Sequence, residues 1–178
     1  ADGRNLGYNE FGVRDGDLTI LFFHGMPASG LEAGYFHDAA VESNCRILAP
    51  TRPGVGTSSF QANRRVSDWP RDVEQFVAAM GLTEFSIMGY STGNPYALAC
   101  ARWFEWPTLK SIAVVNGIAP ACVPFDAGRS ATFFDLACRR PRLVGRGLQM
   151  LDQMMCRHPD RAVRLMMRDM APADQEFV

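Results

Sequence analysis

The sequence predicts an α/β fold: a doubly wound, mostly parallel sheet over residues 1–125, with a helical segment over 126–178. Three observations predict it. Strand-like and helix-like segments alternate from residue 18 to 116, the order that lays helices on both faces of a parallel sheet. Leu18-Thr19-Ile20-Leu21-Phe22-Phe23 is a continuous apolar run, the pattern of a strand buried on both faces. Beyond residue 128 strand patterns vanish, and short amphipathic helices replace them.

The elements follow in order. Residues 4–13 alternate loosely and meet Arg14-Asp15-Gly16-Asp17, an early strand closing in a turn. The strand at 18–23 ends in His24-Gly25-Met26-Pro27. Residues 29–43 carry Leu31, Tyr35, Phe36, Ala39 and Ala40 at helical spacing. Cys45-Arg46-Ile47-Leu48-Ala49 is a second short buried strand, followed by Pro50 and a glycine-rich loop. Ser67 or Asp68 can cap the next helix, whose apolar face is Val73, Phe76, Val77 and Met80, and Gly81 stops it. A strand at Phe85-Ser86-Ile87-Met88, a helix at Pro95–Ala101 and a strand at Ser111–Val115 complete the alternation. In the helical segment one helix is expected near 142–156, with Leu143, Val144, Leu148, Leu151, Met154 and Met155 on one side. Another is expected from Pro159, with Ala162, Val163 and Met166.

Composition narrows the function classes. The chain has 178 residues, 47% hydrophobic and 21% charged, about one domain of ordinary globular type. A net charge of −1 gives no whole-chain reason to expect nucleic acid or an anionic membrane as partner. Residues 139–178 are net +3, but acids interrupt the arginines and no aromatics interleave with them, so a solvated helix face is expected there. The methionines clustered in the same segment read as flexible core. Five cysteines, with no C-x-x-C pair, predict free thiols in a reducing, cytoplasmic setting. No apolar stretch reaches the roughly 18 residues of a membrane span. No metal cluster or cofactor motif is visible: the three histidines are scattered, and Gly54-Val55-Gly56 lacks the third glycine of a dinucleotide loop.

The chemistry centres on Gly89-Tyr90-Ser91-Thr92-Gly93. A G-x-S-x-G between an apolar strand and a helix is the context of a nucleophile elbow. In such a turn the serine backbone is strained and its hydroxyl projects outward. Only small residues fit two positions before and after it, here Gly89 and Gly93. Ser91 is therefore the candidate nucleophile. The N–H of Thr92, the residue after it, is one candidate oxyanion donor. The second is expected from the loop after an earlier strand, where Met26 N–H is the natural donor because Pro27 has none. His24, before the glycine turn at Gly25, is expected to orient that loop rather than act as a base.

Three motifs together, His24-Gly25-Met26-Pro27, Arg52-Pro53-Gly54-Val55-Gly56-Thr57-Ser58 and Gly89-Tyr90-Ser91-Thr92-Gly93, make the chain resemble the α/β-hydrolase superfamily, in its cap-bearing, esterase-like branch. They stand in family order with family-like spacing, and the resemblance covers essentially the whole chain. One departure is Thr51, where the family commonly has Asp; its loss is expected to loosen the following loop. The resemblance implies a core over 1–125 and the start of a helical cap over 126–178.

The resemblance also implies a catalytic acid late in the chain and a histidine later still. At the end of the strand at 111–115, the sixth on the family's count, stand Asn116-Gly117 and no acid. Asp126 lies further on, at the entry to the cap, and is a candidate for the acid. His37 lies on the first helix and His158 in the cap segment; neither occupies the family's catalytic position. The sequence is expected to be the front part of a hydrolase, ending after strand six, with acid and base contributed from downstream. The exposed sheet edge would then be covered by a second chain, a dimer mate or the missing strands. The expected activity is hydrolysis of carboxylic esters or related acyl compounds, small-molecule substrates, without a cofactor. Two further readings fit the same motifs: a cofactor-free haloperoxidase or perhydrolase, and a non-catalytic binding or scaffold protein of the same fold.

Overall fold

The computed structural model describes residues 2–117, 136 and 139–158. The chain divides into two compact units, residues 1–118 and 119–178. In the first, five strands form one sheet: β1 (Tyr8–Gly12), β2 (Leu18–Phe23), β3 (Cys45–Pro50), β4 (Phe85–Tyr90) and β5 (Leu109–Val115). Their order is β1-β3-β2-β4-β5. The β2–β3, β2–β4 and β4–β5 pairs are parallel, and only β1 runs antiparallel, against β3. This is the mostly parallel, doubly wound sheet that the alternation predicts.

The second half of β2, Leu21-Phe22-Phe23, is buried on both faces, while Leu18 at its start is exposed. Leu21 and Phe23 join Leu48, Trp69, Val73, Phe76, Phe85 and Ile87 in one core, while Phe22, one residue out of phase, joins Ala33, Ala40, Ile47 and Ala49 in the other. The first core is closed by α2 (Trp69–Ala79) and α3 (Asn94–Ala101). Asp68 flanks α2, although its carboxylate accepts from Arg65 N–H (2.8 Å) instead of capping the helix. Gly81, at φ +66, ends α2 as expected.

The segment 29–43 departs from a single α-helix. Gly30–Phe36 winds as a 3-10 helix, and only His37–Glu42 (α1) is α-helical. At three residues per turn, Gly30, Ala33 and Phe36 share a face, and the two fully buried residues of the segment, Gly30 and Ala33, lie on it. Leu31 and Tyr35, expected on the apolar face from an α-helical period, are exposed. The segment starts close against the sheet: a side chain on Gly30 would run into the carbonyl oxygen of Ala49 on β3.

Polar residues fasten the periphery of this unit. Asp72 on α2 is buried, and its carboxylate is forked by Arg4, with Nη2–Oδ1 at 2.6 Å and Nη1–Oδ2 at 3.4 Å. Arg4→Ala would leave that carboxylate buried and unpaired. It is expected to lower unfolding stability by about 3 kcal/mol, read as a lower urea midpoint at unchanged slope.

Among the described residues β5 pairs with β4 alone, and Ala113 and Val114 on it are exposed. Cys45 and Cys100 are free and buried, and burial pushes the Cys100 thiol up to about 12. Cys122 and Cys138 lie outside the described residues. In the second unit α4 (Pro141–Arg157) is the helix expected near 142–156, with Leu143 exposed and Val144 half-buried. The helix expected from Pro159, and Asp126, lie outside the described residues. No described helix is long and apolar enough to cross a membrane.

Candidate active site

Phe23 at the end of β2 pairs with Gly89 near the end of β4. The segments that follow, His24-Gly25-Met26 and Ser91-Thr92-Gly93, therefore leave the sheet side by side. The carboxyl ends of neighbouring parallel strands are where open α/β sheets form their sites.

β4 feeds a short 3-10 turn, Ser91–Gly93, and then α3. Ser91 stands at φ +51, a left-handed conformation that a side-chain-bearing residue adopts at a cost of order 1–3 kcal/mol. The flanking glycines are required by contact. A Cβ on Gly89 would lie 2.7 Å from Asn94 Oδ1 and 2.9 Å from Ala97 Cβ. A Cβ on Gly93 would drive into the backbone oxygen of Phe23. Because that obstacle is backbone in a central strand, Gly93→Ala is expected to lower stability by about 3 kcal/mol. The same variant is expected to slow modification of Ser91 by an active-site probe; both follow from a urea titration and a labelling time course on one preparation.

Asn94 locks the turn from behind. Its Nδ2 donates to Ser91 O (2.8 Å) and to Val115 O at the end of β5 (3.0 Å), and the side chain is 2% exposed. Asn116, just past β5, is also left-handed, at φ +50.

The loop after β2 is held from several directions. His24 is fully buried. Its Nε2 accepts from Arg52 N–H (3.1 Å), which places the proton on Nδ1, 2.9 Å from Gly25 O. Burial, with the Arg52 charge beside it, lowers His24 to about 4. Both ring nitrogens are engaged, Nδ1–H by Gly25 O and the Nε2 lone pair by Arg52 N–H, so the ring ties the loop after β2 to the end of β3. Gly25 N–H donates to Glu32 Oε2 (2.6 Å). A Cβ on Gly25 would lie 3.3 Å from both Glu32 Oε1 and Ser91 Cβ, so loop, carboxylate and serine meet at one point. Met26 follows, half-exposed, and its N–H donates to no partner among the described residues.

Arg52 lies beneath both loops. Nη2 donates to Gly25 O (2.6 Å) and Nη1 to Thr92 O (3.4 Å), while the guanidinium stacks 4.9 Å from the Tyr96 ring centre. Burial lowers its pKa from the ordinary arginine value; Tyr96 opposes that shift and the Arg64 charge adds to it. Arg64 lies over the rings of Trp69 and Tyr96. Thr51 does not leave the loop loose. Its Oγ1 accepts from Gly30 N–H (3.1 Å), its N–H donates to Gly7 O (2.8 Å), and its carbonyl accepts from Ser58 Oγ (2.6 Å). A hydroxyl thus ties the strand end to the 3-10 helix without a carboxylate.

The structure brings Ser91, Thr92, Gly89, Gly93, His24, Gly25 and Met26 to one end of the sheet. His37 is elsewhere, exposed at the start of α1, where its Nδ1 accepts from Gly12 N–H (3.1 Å). His158 is exposed at the end of α4. Among the described residues no group of three or more His, Cys, Asp or Glu is placed to hold a metal. Sequence reasoning missed the placement of Glu32, Arg52 and Asn94. Glu32 had a signal, Ser29-x-x-Glu32, but that reads as a capping box, whereas its carboxylate turns to Gly25.

Comparison with known proteins agrees with this geometry. Residues 20–178 match the profile of the Alpha/beta hydrolase family. A proline iminopeptidase of Xylella fastidiosa is 30% identical over 122 residues, 66% of this chain and 37% of that protein. Among solved structures, a bacterial membrane phospholipase A superposes with a TM-score of 0.63 at 25% identity, over 75% of this chain and 42% of that one. An esterase from Exiguobacterium antarcticum superposes with a TM-score of 0.60 at 17% identity, over 85% of this chain and 58% of that one. The chain thus spans 37–58% of the length of these relatives. By its sheet order, the turn that joins β4 to α3 and the profile match over most of its length, the chain belongs to the alpha/beta hydrolase family.

Proposed function

We propose that the protein, in its full-length form, is a serine hydrolase of carboxylic esters or related acyl compounds. Ser91 Oγ attacks the acyl carbon, the carbonyl oxygen becomes an oxyanion held by Met26 and Thr92 N–H, and the alcohol leaves with a proton. Water then attacks the acyl-serine and restores Ser91. Acid and base come from polypeptide outside the described residues, which also pairs with the edge of β5 that is unpaired among them. The observation that most supports this reading is the left-handed Ser91 between β4 and α3, in contact range of the Gly25-Met26 loop.

Peptide or aminoacyl amides are a second reading, favoured by the similarity to a proline iminopeptidase. A cofactor-free perhydrolase would use the same serine, whereas a non-catalytic binding protein would leave it unreactive. A fluorophosphonate probe tests the proposal on the full-length protein. The expected result is one adduct, located by mass spectrometry on Ser91. Absence of any adduct sinks the hydrolase reading and leaves the binding protein. Acyl p-nitrophenyl esters and prolyl p-nitroanilide then separate ester from aminoacyl substrates.

A further inference from the structure

The Gly25–Met26 and Ser91–Thr92 peptide groups share a feature that Met26 and Thr92, taken alone, do not reveal. Each peptide is trans, so its carbonyl and its N–H point in opposite directions. In the first, the N–H belongs to Met26 and the carbonyl is Gly25 O. That oxygen accepts from His24 Nδ1 at 2.9 Å and from the Arg52 guanidinium at 2.6 Å. In the second, the N–H belongs to Thr92 and the carbonyl is Ser91 O. That oxygen accepts from the Asn94 amide at 2.8 Å and from the Asn94 backbone N–H. Both proposed oxyanion donors are thus the far ends of peptides whose near ends are gripped by buried side chains.

Resting on the serine-hydrolase reading, we infer that Arg52 and Asn94 are positioning residues of the oxyanion hole, each aiming and polarising one donor peptide through its carbonyl. Two physical effects act together. The first is orientation. Gly25 is held at its N–H by Glu32 and at its carbonyl by His24 and Arg52, so the peptide that follows cannot swing its N–H away. Ser91 O is fixed by Asn94, which is itself anchored to Val115 O on β5, so the left-handed turn is tied to a neighbouring strand. Arg52 also reaches Thr92 O at 3.4 Å and so couples the two loops. The second effect is polarisation. A donor on a carbonyl oxygen strengthens the hydrogen bond given by the N–H of the same amide, by about 10–30% per bond. A charged donor does more than a neutral one. Arg52 is a buried cation on one such carbonyl, and solvent does not screen it.

The test uses a trifluoromethyl ketone labelled with carbon-13 at the carbonyl, which adds to a nucleophilic serine as a hemiketal whose oxygen occupies the oxyanion position. Its titration by carbon NMR reads the hole directly, since donors that favour the anion depress the hemiketal pKa. Arg52→Lys and Asn94→Ala in the full-length protein are each expected to raise that pKa by about one unit, the tenfold loss of anion preference expected when a donor is loosened but not removed. Each is expected to lower kcat on an acyl p-nitrophenyl ester about tenfold or more, with KM within about twofold, because the hole serves the transition state rather than the bound ester. Melting temperature is recorded in parallel. Variants that melt earlier yet keep the wild-type hemiketal pKa and kcat would show a purely structural role and overturn the inference. If the wild-type protein forms no adduct at Ser91, the hydrolase reading fails, and this inference with it. An adduct in the wild type with unperturbed variants sinks the inference alone. Arg52→Lys keeps a cation at the site and Asn94→Ala removes a neutral amide, so failure of one variant to fold leaves the other decisive.

Discussion

Replacing Ser91 with alanine is expected to lower kcat on an acyl ester by about 10⁶-fold, a loss of roughly 8 kcal/mol of transition-state stabilisation. The size follows from what remains. Alanine takes away the proposed attacking oxygen but leaves the proposed donors, Met26 and Thr92 N–H, with Arg52 and Asn94 behind them. An intact oxyanion hole with no nucleophile retains about 10³–10⁴-fold over the uncatalysed rate. The substrate still meets the same walls, so any residual turnover should saturate at a KM close to wild type. Steady-state kinetics on full-length wild type and Ser91→Ala, with circular dichroism to verify the fold, measures this. A wild type no faster than the variant would leave the binding-protein reading in possession of the site. A modest drop, tenfold or less, would move the nucleophile elsewhere. Cys100 is a poor substitute, being buried, with its thiol raised to about 12.

The parts of the fold that could be read from sequence are those set by local pattern. β2 is legible because Leu21, Phe22 and Phe23 are consecutive apolar residues that enter the two cores on alternate faces of the sheet. The turn at Ser91 was legible because its constraint is steric: Gly89 and Gly93 have neighbours that admit no Cβ. The misread segment, 29–43, failed on period. Leu31, Tyr35 and Phe36 fit 3.6 residues per turn, but Gly30–Phe36 winds at three, and the buried residues are Gly30 and Ala33, three positions apart. The residues that hold the candidate site were out of reach for another reason. Arg52 binds carbonyls 27 and 40 positions away, and Asn94 reaches 21 positions forward to Val115. Backbone carbonyls leave no mark on the sequence, so a side chain whose partners are carbonyls looks like any loop arginine or first-turn asparagine.

His24 has a different kind of partnership, and it makes stability depend on pH. Its ring is neutral in the native state, with Nδ1–H on Gly25 O and Nε2 accepting from Arg52 N–H. Protonation would bury a cation without water around it and set it beside the Arg52 guanidinium, which is why the native pKa falls to about 4. In the unfolded chain the imidazole titrates near 6.5. Above that value neither state carries the proton and the group is silent. Between 6.5 and about 4 the unfolded chain binds a proton that the native protein refuses, so stability falls as pH falls. Below about 4 both states are protonated and the loss levels off, at about 3 kcal/mol for this one residue. Urea midpoints collected from pH 7.5 to pH 4 should therefore show a steeper acid decline in wild type than in His24→Asn, whose amide can keep the Gly25 bond but cannot titrate. The carboxylates are common to both proteins and cancel in the difference, which isolates the histidine. Parallel declines would mean that His24 accepts its proton as readily folded as unfolded, and that the loop bearing Met26 is held by Arg52 and Glu32 without it.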